Sequence, residues 1–229
     1  MKYKAVIFDL DGTLLDTIGD IAAAMNHALK NHGMPTHEET DYYGMVGWGL
    51  DELVRRAIRA GLDEQGQKID ESVIEQLVPE LSEEWMAYYR SHPADKTVPY
   101  DGIEGLLTAL VEANVSIGVL SNKPEELVTA TVAKLLPNHY FAAVHGQSEA
   151  FPHKPEPNLL LHILDHLNLA PEEACMVGDS EIDMKTARNA GVEAVAVSWG
   201  FRSLETLREA GAEVVAHSTR ELREHLLKA

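Results

Sequence analysis

Cysteine occurs once in these 229 residues, at position 175. A single thiol allows no intrachain disulfide, so the fold rests on its core alone, and a reducing, cytoplasmic compartment is the expectation. Basic residues are also scarce, with 19 Lys and Arg against 37 Asp and Glu for a formal charge of −18. A surface of that sign repels a phosphate backbone instead of neutralising it, which argues against nucleic acid as a partner. An anionic small molecule would therefore need local lysines or a bound divalent cation to draw it in. Long apolar runs are missing as well. Asp9 and Asp11 interrupt the short one near the N-terminus and no later one could span a bilayer, so neither a signal peptide nor a membrane partner is expected. The remaining composition, 45% hydrophobic and 24% charged, is that of a soluble globular chain long enough for one domain or two small ones.

What is present is organised around the stretch from Ala5 to Asp16. Ala5, Val6, Ile7 and Phe8 lack the apolar and polar alternation of a half-exposed strand, so both faces should be covered, as in a parallel sheet flanked by helices. Asp9 then falls at the carboxyl end of the strand, where open α/β sheets place their ligands. Gly12 permits a tight turn that can present the Asp9 carboxylate and a main-chain carbonyl to one ion. Alone, this would be a strand followed by a solvated acidic turn. The pattern recurs, however. Val115 to Leu120 ends in Ser121 and Asn122, and Ala174 to Val177 ends in Gly178, Asp179 and, four residues on, Asp183. Three such strand ends suggest one shared site along one sheet edge. A calcium loop fails on spacing, because it needs its glycine sixth and Gly12 is fourth from Asp9.

Between Asp16 and His92 the apolar spacing turns helical. Stripes run through Ile21, Met25, Ala28 and Leu29, through Leu50, Leu53, Val54, Ala57 and Ile58, and through Val73, Ile74, Leu77, Leu81, Trp85 and Tyr88, with Pro79 expected to kink or split the last. Asp101 and Glu104 read as a capping pair for a helix running to Ala113. Strands are expected near 115–120, 140–144, 174–178 and 193–197, with a possible edge strand at 213–216. Helices alternate with them near 124–136, 156–168, 182–190, 203–210 and 219–227. This is the order of a doubly wound α/β parallel sheet. The domains so drawn are an α/β core of residues 1–15 and 93–229 and an all-helical insertion of residues 16–92.

Four segments then carry a resemblance. Asp9-Leu10-Asp11-Gly12-Thr13, Ser121-Asn122, Lys154-Pro155 and Gly178-Asp179-Ser180-Glu181-Ile182-Asp183 are similar, in order, to the four motifs of the haloacid dehalogenase-like hydrolases. Ser121 to Glu125, Lys154 to Pro157 and Gly178 to Ser180 further resemble the phosphoglycolate phosphatase-like branch. The resemblance implies a Rossmann-like core with an inserted, mobile helical cap that closes over the site and selects the substrate. In the insertion, Gly44 to Gly49 holds three glycines around an aromatic. Gly47, Trp48 and Gly49 are the cap specificity candidates, with an interhelical loop packing Trp48 on the core as the equal alternative. Arg55, Arg56 and Arg59 could lend the cap positive charge or simply be solvated.

The chemistry implied is phosphoryl transfer, where positioning and charge neutralisation dominate and Mg2+ suits the oxygen ligands on offer. By the resemblance, Asp9 and Asp179 would donate carboxylate oxygens to the metal and Asp11 its backbone carbonyl. Asp183, one helical turn beyond Asp179, could hold a metal-bound water or orient Lys154. Asp9 would be the nucleophile, forming an aspartyl-phosphate, and Asp11 the general acid and base. A halide-displacing relative has no leaving oxygen to protonate, so Asp11 favours phosphate over halide. Ser121 and the backbone of Asn122, just before Pro124 at the expected first position of a helix, would bind the substrate phosphate, and Lys154 would supply a point charge. The expectation is a Mg2+-dependent phosphatase acting on a small phosphorylated metabolite, with 2-phosphoglycolate favoured. A β-phosphoglucomutase-like phosphosugar mutase, an inorganic pyrophosphatase and a non-enzymatic regulatory relative are the alternatives. His162 and His166, four apart, lack the glutamate pattern of a zinc site and read as a solvated helix face. Gly200-Phe201-Arg202 resembles a branch feature without an assigned role, and no catalysis is given to it.

Overall fold

The computed structural model describes residues 2–64, 71–137 and 140–228. In chain order the elements are β1 (Ala5–Phe8), β2 (Leu15–Asp16), α1 (Ile18–Asn31), α2 (Leu50–Glu64), α3 (Glu71–Ser91), β3 (Val98–Pro99), α4 (Ile103–Glu112) and β4 (Ser116–Pro124). They continue as α5 (Glu125–Leu135), β5 (Phe141–Gln147), α6 (Asn158–His166), β6 (Ala174–Gly178), α7 (Glu181–Ala190), β7 (Glu193–Val197), α8 (Leu204–Glu209), β8 (Val214–Ala216) and α9 (Thr219–Leu226). The chain divides into two compact units, one of Met1–Asp16 with Val98–Ala229 and one of Thr17–Thr97.

The first unit is built on a parallel sheet of order β5-β4-β1-β6-β7-β8. Every residue of β1 is fully buried, and its alternate side chains enter different cores. Val6 and Phe8 pack with Ile117, Val119, Cys175 and Val177 beneath α4, α5 and α9, through Leu107, Val128 and Leu222. Ala5 and Ile7 pack with Met176 beneath α6 and α7, through Leu160, Ile163 and Ala187. A strand covered on both faces has no polar positions to spare, which is why β1 and β6 read as continuous apolar runs. Complete burial of a side chain such as Ile7 or Phe8 contributes about 1.5–3 kcal/mol. The free Cys175 thiol is one of these core side chains. Pairing then sets the level of the strand ends, because Phe8 lies opposite both Val119 of β4 and Val177 of β6. The chain therefore leaves all three strands at one edge of the sheet.

Three local expectations are corrected. The fourth strand does not stop at Leu120 but runs on to Pro124, so Pro124 precedes α5 as its N-cap and is not its first helical residue. The N-cap of α4 is Gly102 and not Asp101. Gly102 is left-handed, with φ 77°, and a Cβ there would lie 2.3 Å from Thr219 Oγ1, whose hydroxyl donates to the Asp101 carbonyl. Glycine is thus needed at this N-cap both for its backbone angle and for its close packing against the start of α9. Finally, Pro79 does not split α3, which is one helix across it.

Within the second unit, Ile74, Val78, Leu81, Trp85 and Tyr89 form the buried face of α3, and the Trp85 indole donates to the Ile21 carbonyl. That apolar stripe holds the helix together through the missing N–H of Pro79. Asp20, buried in the first turn of α1, accepts from the backbone N–H groups of Lys96 and Thr97 and from the Thr97 hydroxyl, tying the two ends of the insertion. The arginines of α2 are committed: Arg55 pairs with Glu75, Arg56 with Glu52 and Arg59 with Glu71. Gly47 and Gly49 both have positive φ, and Trp48 between them is half-buried with the Arg56 guanidinium 5.3 Å from its ring centre. Because Pro79 is exposed and interrupts the hydrogen-bond ladder of α3, Pro79→Ala is expected to stabilise the protein by about 1–2 kcal/mol. Urea denaturation reads this as a higher midpoint, and a lower one would contradict it.

Candidate active site

The sheet edge gathers carboxylates. Asp9 follows β1 directly and its N–H donates to the Val177 carbonyl across the strand pair. The turn after it is drawn tight by the N–H groups of Thr13, Leu14 and Leu15, which all converge on the Leu10 carbonyl. Gly12 sits in this turn with φ 84°, and a Cβ on it would lie 2.4 Å from Asp179 Oδ2. Glycine is thus required twice there, for the backbone angle and for the approach of Asp179. One carboxylate oxygen of each of Asp9, Asp179 and Asp183 lies within 4.8 Å of the others.

Each carboxylate is held by named donors. Asp9 Oδ1 accepts from the Leu10 N–H at 2.7 Å and from Lys154 Nζ at 3.0 Å. Asp179 Oδ2 accepts from the Phe201 N–H at 2.7 Å, and its Oδ1 from the Thr13 hydroxyl at 3.3 Å. Asp183 belongs to a capping box at the start of α7: its Oδ2 accepts from the Ser180 N–H and hydroxyl, and its Oδ1 from Lys154 Nζ at 2.7 Å. Lys154 thereby bridges Asp9 and Asp183. Its own backbone is fixed by Asn122, whose side-chain amide donates to the Lys154 carbonyl and accepts from the Lys154 N–H. Ser121, buried in the same strand, accepts from the Lys123 N–H. Asp11 is engaged by Lys123, whose ammonium lies 3.0 Å from Asp11 Oδ1.

Burial makes these charges consequential. None of Asp9, Asp11, Lys123, Lys154, Asp179 and Asp183 is more than 9% exposed. Four carboxylates beside two ammonium groups would leave two uncompensated negative charges in a poorly solvated place if all were ionised, a costly arrangement. Asp9 and Asp179 respond by holding protons more tightly. Burial, reinforced by Asp183, pushes Asp179 up to about 7 in spite of the Phe201 N–H and the Arg202 and Lys154 charges. Burial likewise raises Asp9, against the pull of Lys154. Lys154 is raised as well and so stays charged: burial would discharge it, but Asp183 and Asp9 override that effect. A buried, all-oxygen donor set with an excess of two negative charges fits a hard divalent cation.

Most of the expected residues are therefore brought together: Asp9, Asp183, Lys154 and Asn122 form one bonded set, Asp179 stands within 4.8 Å of the Asp9 and Asp183 carboxylates, and Asp11 and Ser121 connect through Lys123. The Asn122 side-chain amide is taken up by the Lys154 backbone. Gly47, Trp48 and Gly49 belong to the helical unit. His162 and His166 lie on an exposed helix face. Sequence reasoning gave no role to Lys123 or to Gly200-Phe201-Arg202 and did not single out Trp199. It also passed over Ser180-x-x-Asp183, a recognisable capping box.

A parallel sheet with clustered aspartates and a bridging lysine beyond its strand ends defines an α/β enzyme of the Rossmann-like class. The family model of the haloacid dehalogenase-like hydrolases matches residues 6–197. The chain belongs to that family. Curated relatives include a phosphoglycolate phosphatase of Chromobacterium violaceum, 35% identical over 96% of this chain and 94% of its own length. An N-acetylmuramic acid 6-phosphate phosphatase of Pseudomonas aeruginosa is 31% identical over 97% of this chain and 94% of its own. A crystal structure from Lactobacillus delbrueckii subsp. bulgaricus superposes with a TM-score of 0.92 at 34% identity, covering the whole of both chains.

The raised Asp179 pKa has a sign that can be tested. Between the ordinary value of 3.8 and about 7, the folded protein keeps a proton that the unfolded chain has released. Chelator-treated protein is therefore expected to lose stability as pH rises through that window, as measured by thermal denaturation. Above about 7, added Mg2+ should restore it, and stability that rises steadily across the window without metal would contradict the assignment.

Proposed function

We propose that the chain is a Mg2+-dependent phosphatase that hydrolyses a small phosphomonoester, 2-phosphoglycolate foremost, through an aspartyl-phosphate on Asp9. The observation that carries this reading is the lysine bridge, in which Lys154 ties Asp9 to Asp183 while Asp179 stands beside them. The two curated relatives share a phosphatase activity and differ in the group that bears the phosphate. The longer-range likeness therefore supports the phosphate chemistry, and the first relative supports the particular substrate.

In this reading the carboxylates of Asp9 and Asp179 and the backbone carbonyl of Asp11 hold the cation, which supplies charge neutralisation so that a phosphate dianion can approach Asp9. Lys154 Nζ occupies one oxygen of Asp9, fixing the carboxylate so that the other oxygen attacks phosphorus. The ester P–O bond breaks, and Asp11 gives its proton to the leaving oxygen. Water then attacks the phosphorus of the acyl phosphate and passes its proton to Asp11, releasing inorganic phosphate and restoring Asp9. Lys123 restricts rotation of the Asp11 side chain, and Ser121 and Asn122 complete the end of β4 where the phosphoryl oxygens bind. Asp183, spent on Ser180 and Lys154, orients the lysine. The helical unit is the proposed selector of the leaving group, with the Gly47-Trp48-Gly49 turn as its candidate determinant.

Purified protein with Mg2+ is expected to release phosphate from 2-phosphoglycolate in preference to sugar phosphates and pyrophosphate. Asp9→Asn should lower kcat by at least about a thousandfold. Phosphate release by Asp9→Asn at the wild-type rate, or no release from any ester in the panel, would refute the mechanism. Transfer of the phosphoryl group back to a sugar phosphate would instead identify a mutase.

A further inference from the structure

The segment joining β7 to α8 also reaches the site. Its base is fixed where the Ser198 N–H donates to the Ala216 carbonyl of β8. From there it reaches back to both aspartate-bearing turns. The Trp199 indole Nε1 donates to the Thr13 carbonyl at 3.1 Å, and the Phe201 N–H donates to Asp179 Oδ2 at 2.7 Å. Beyond them, the buried Arg202 guanidinium pairs with Glu181 at the start of α7 at 2.9 Å. Thr13 in turn bonds Asp179 Oδ1.

Gly200 explains how the segment comes so close. A Cβ at this position would lie 2.3 Å from the Asp179 Cβ and 2.4 Å from both Asp179 Oδ2 and the Gly12 carbonyl oxygen. Unlike Gly12, Gly200 has no left-handed backbone angle to explain it. The requirement is for space alone. Backbone thus presses directly against the Asp179 side chain on one flank, while Gly12 leaves equal room on the other.

We infer that the Trp199 to Phe201 segment is a positioning element that sets divalent-cation affinity, by clamping the Asp179 carboxylate between its own backbone and the turn that follows Asp9. The Phe201 N–H and the Thr13 hydroxyl fix how the carboxylate is turned, and Trp199 fixes Thr13. The cation then meets a ligand whose rotation is already restricted. Groups that orient a metal ligand typically account for about 10–100-fold in affinity. This rests on the metal reading of the preceding section, in which Asp179 is a ligand.

The test is Mn2+ binding by isothermal calorimetry and electron paramagnetic resonance, without substrate, on wild type, Trp199→Phe and Gly200→Ala. Gly200→Ala should raise the Mn2+ dissociation constant by about tenfold or more, and Trp199→Phe, which loses the bond to Thr13 and part of the packing on Tyr100, by about threefold. If Gly200→Ala does not fold, Trp199→Phe decides. In turnover, the deficit of either variant should narrow as Mg2+ is raised, which a general loosening of the site would not show. Folded variants that bind Mn2+ as tightly as wild type, or a deficit that Mg2+ does not relieve, overturn the inference. Wild-type protein that binds no Mn2+ overturns the metal reading itself, and the two failures are distinguished by that measurement.

Discussion

Everything at the sheet edge follows from placing four carboxylates where water barely reaches. Carboxylates crowded in this way repel one another and resist ionisation, so the fold must supply positive charge, N–H donors or protons in quantity. This protein supplies all three: Lys154 shared between Asp9 and Asp183, Lys123 on Asp11, backbone donors from Leu10, Ser180 and Phe201, and a proton on Asp179 up to about pH 7. The compensation is incomplete in the protein alone. A chain carrying 37 acidic residues can attract an anionic ester only where that local imbalance is corrected, so the net charge and the site chemistry are one problem.

The scaffold solves the placement before any site contact forms. Parallel pairing sets Phe8, Val119 and Val177 at one level, and the apolar alternation of β1 fixes that register by burying a different core on each face. A slip of one residue would exchange those cores and scatter the residues that follow them. Stability and site geometry thus share their determinants in β1, β4 and β6, whereas the loops beyond them carry the specific donors.

Most of the α/β alternation was legible in the sequence because continuous apolar runs and turn signals are local properties. So was the convergence of Asp9, Ser121 and Asp179, since three strand ends of like character imply a common edge. What escaped was set by non-local contact. Gly102 caps α4 in close packing with Thr219, a fact absent from the residues around Asp101. Pro79 is tolerated in α3 because Trp85 and its apolar neighbours hold both halves. Lys123 and Gly200 were given no role beside the named motifs, and their importance lies in the Asp11 and Asp179 side chains, which sit 112 and roughly 20 residues away in the chain. The arginines of α2 had the charge to serve a ligand, yet nearby glutamates take them.

Between Asp16 and Val98 the chain departs from the sheet-bearing unit and rejoins it, and these two residues are strand partners, with Leu15 opposite Pro99. The exit and the return are therefore hydrogen-bonded neighbours, and the gap they leave is no wider than the spacing between two strands. From the standpoint of the sheet, the unit from Thr17 to Thr97 is an excursion through a doorway already framed on both sides. A segment of another length could accordingly pass through that doorway without disturbing the pairing of Leu15 with Pro99.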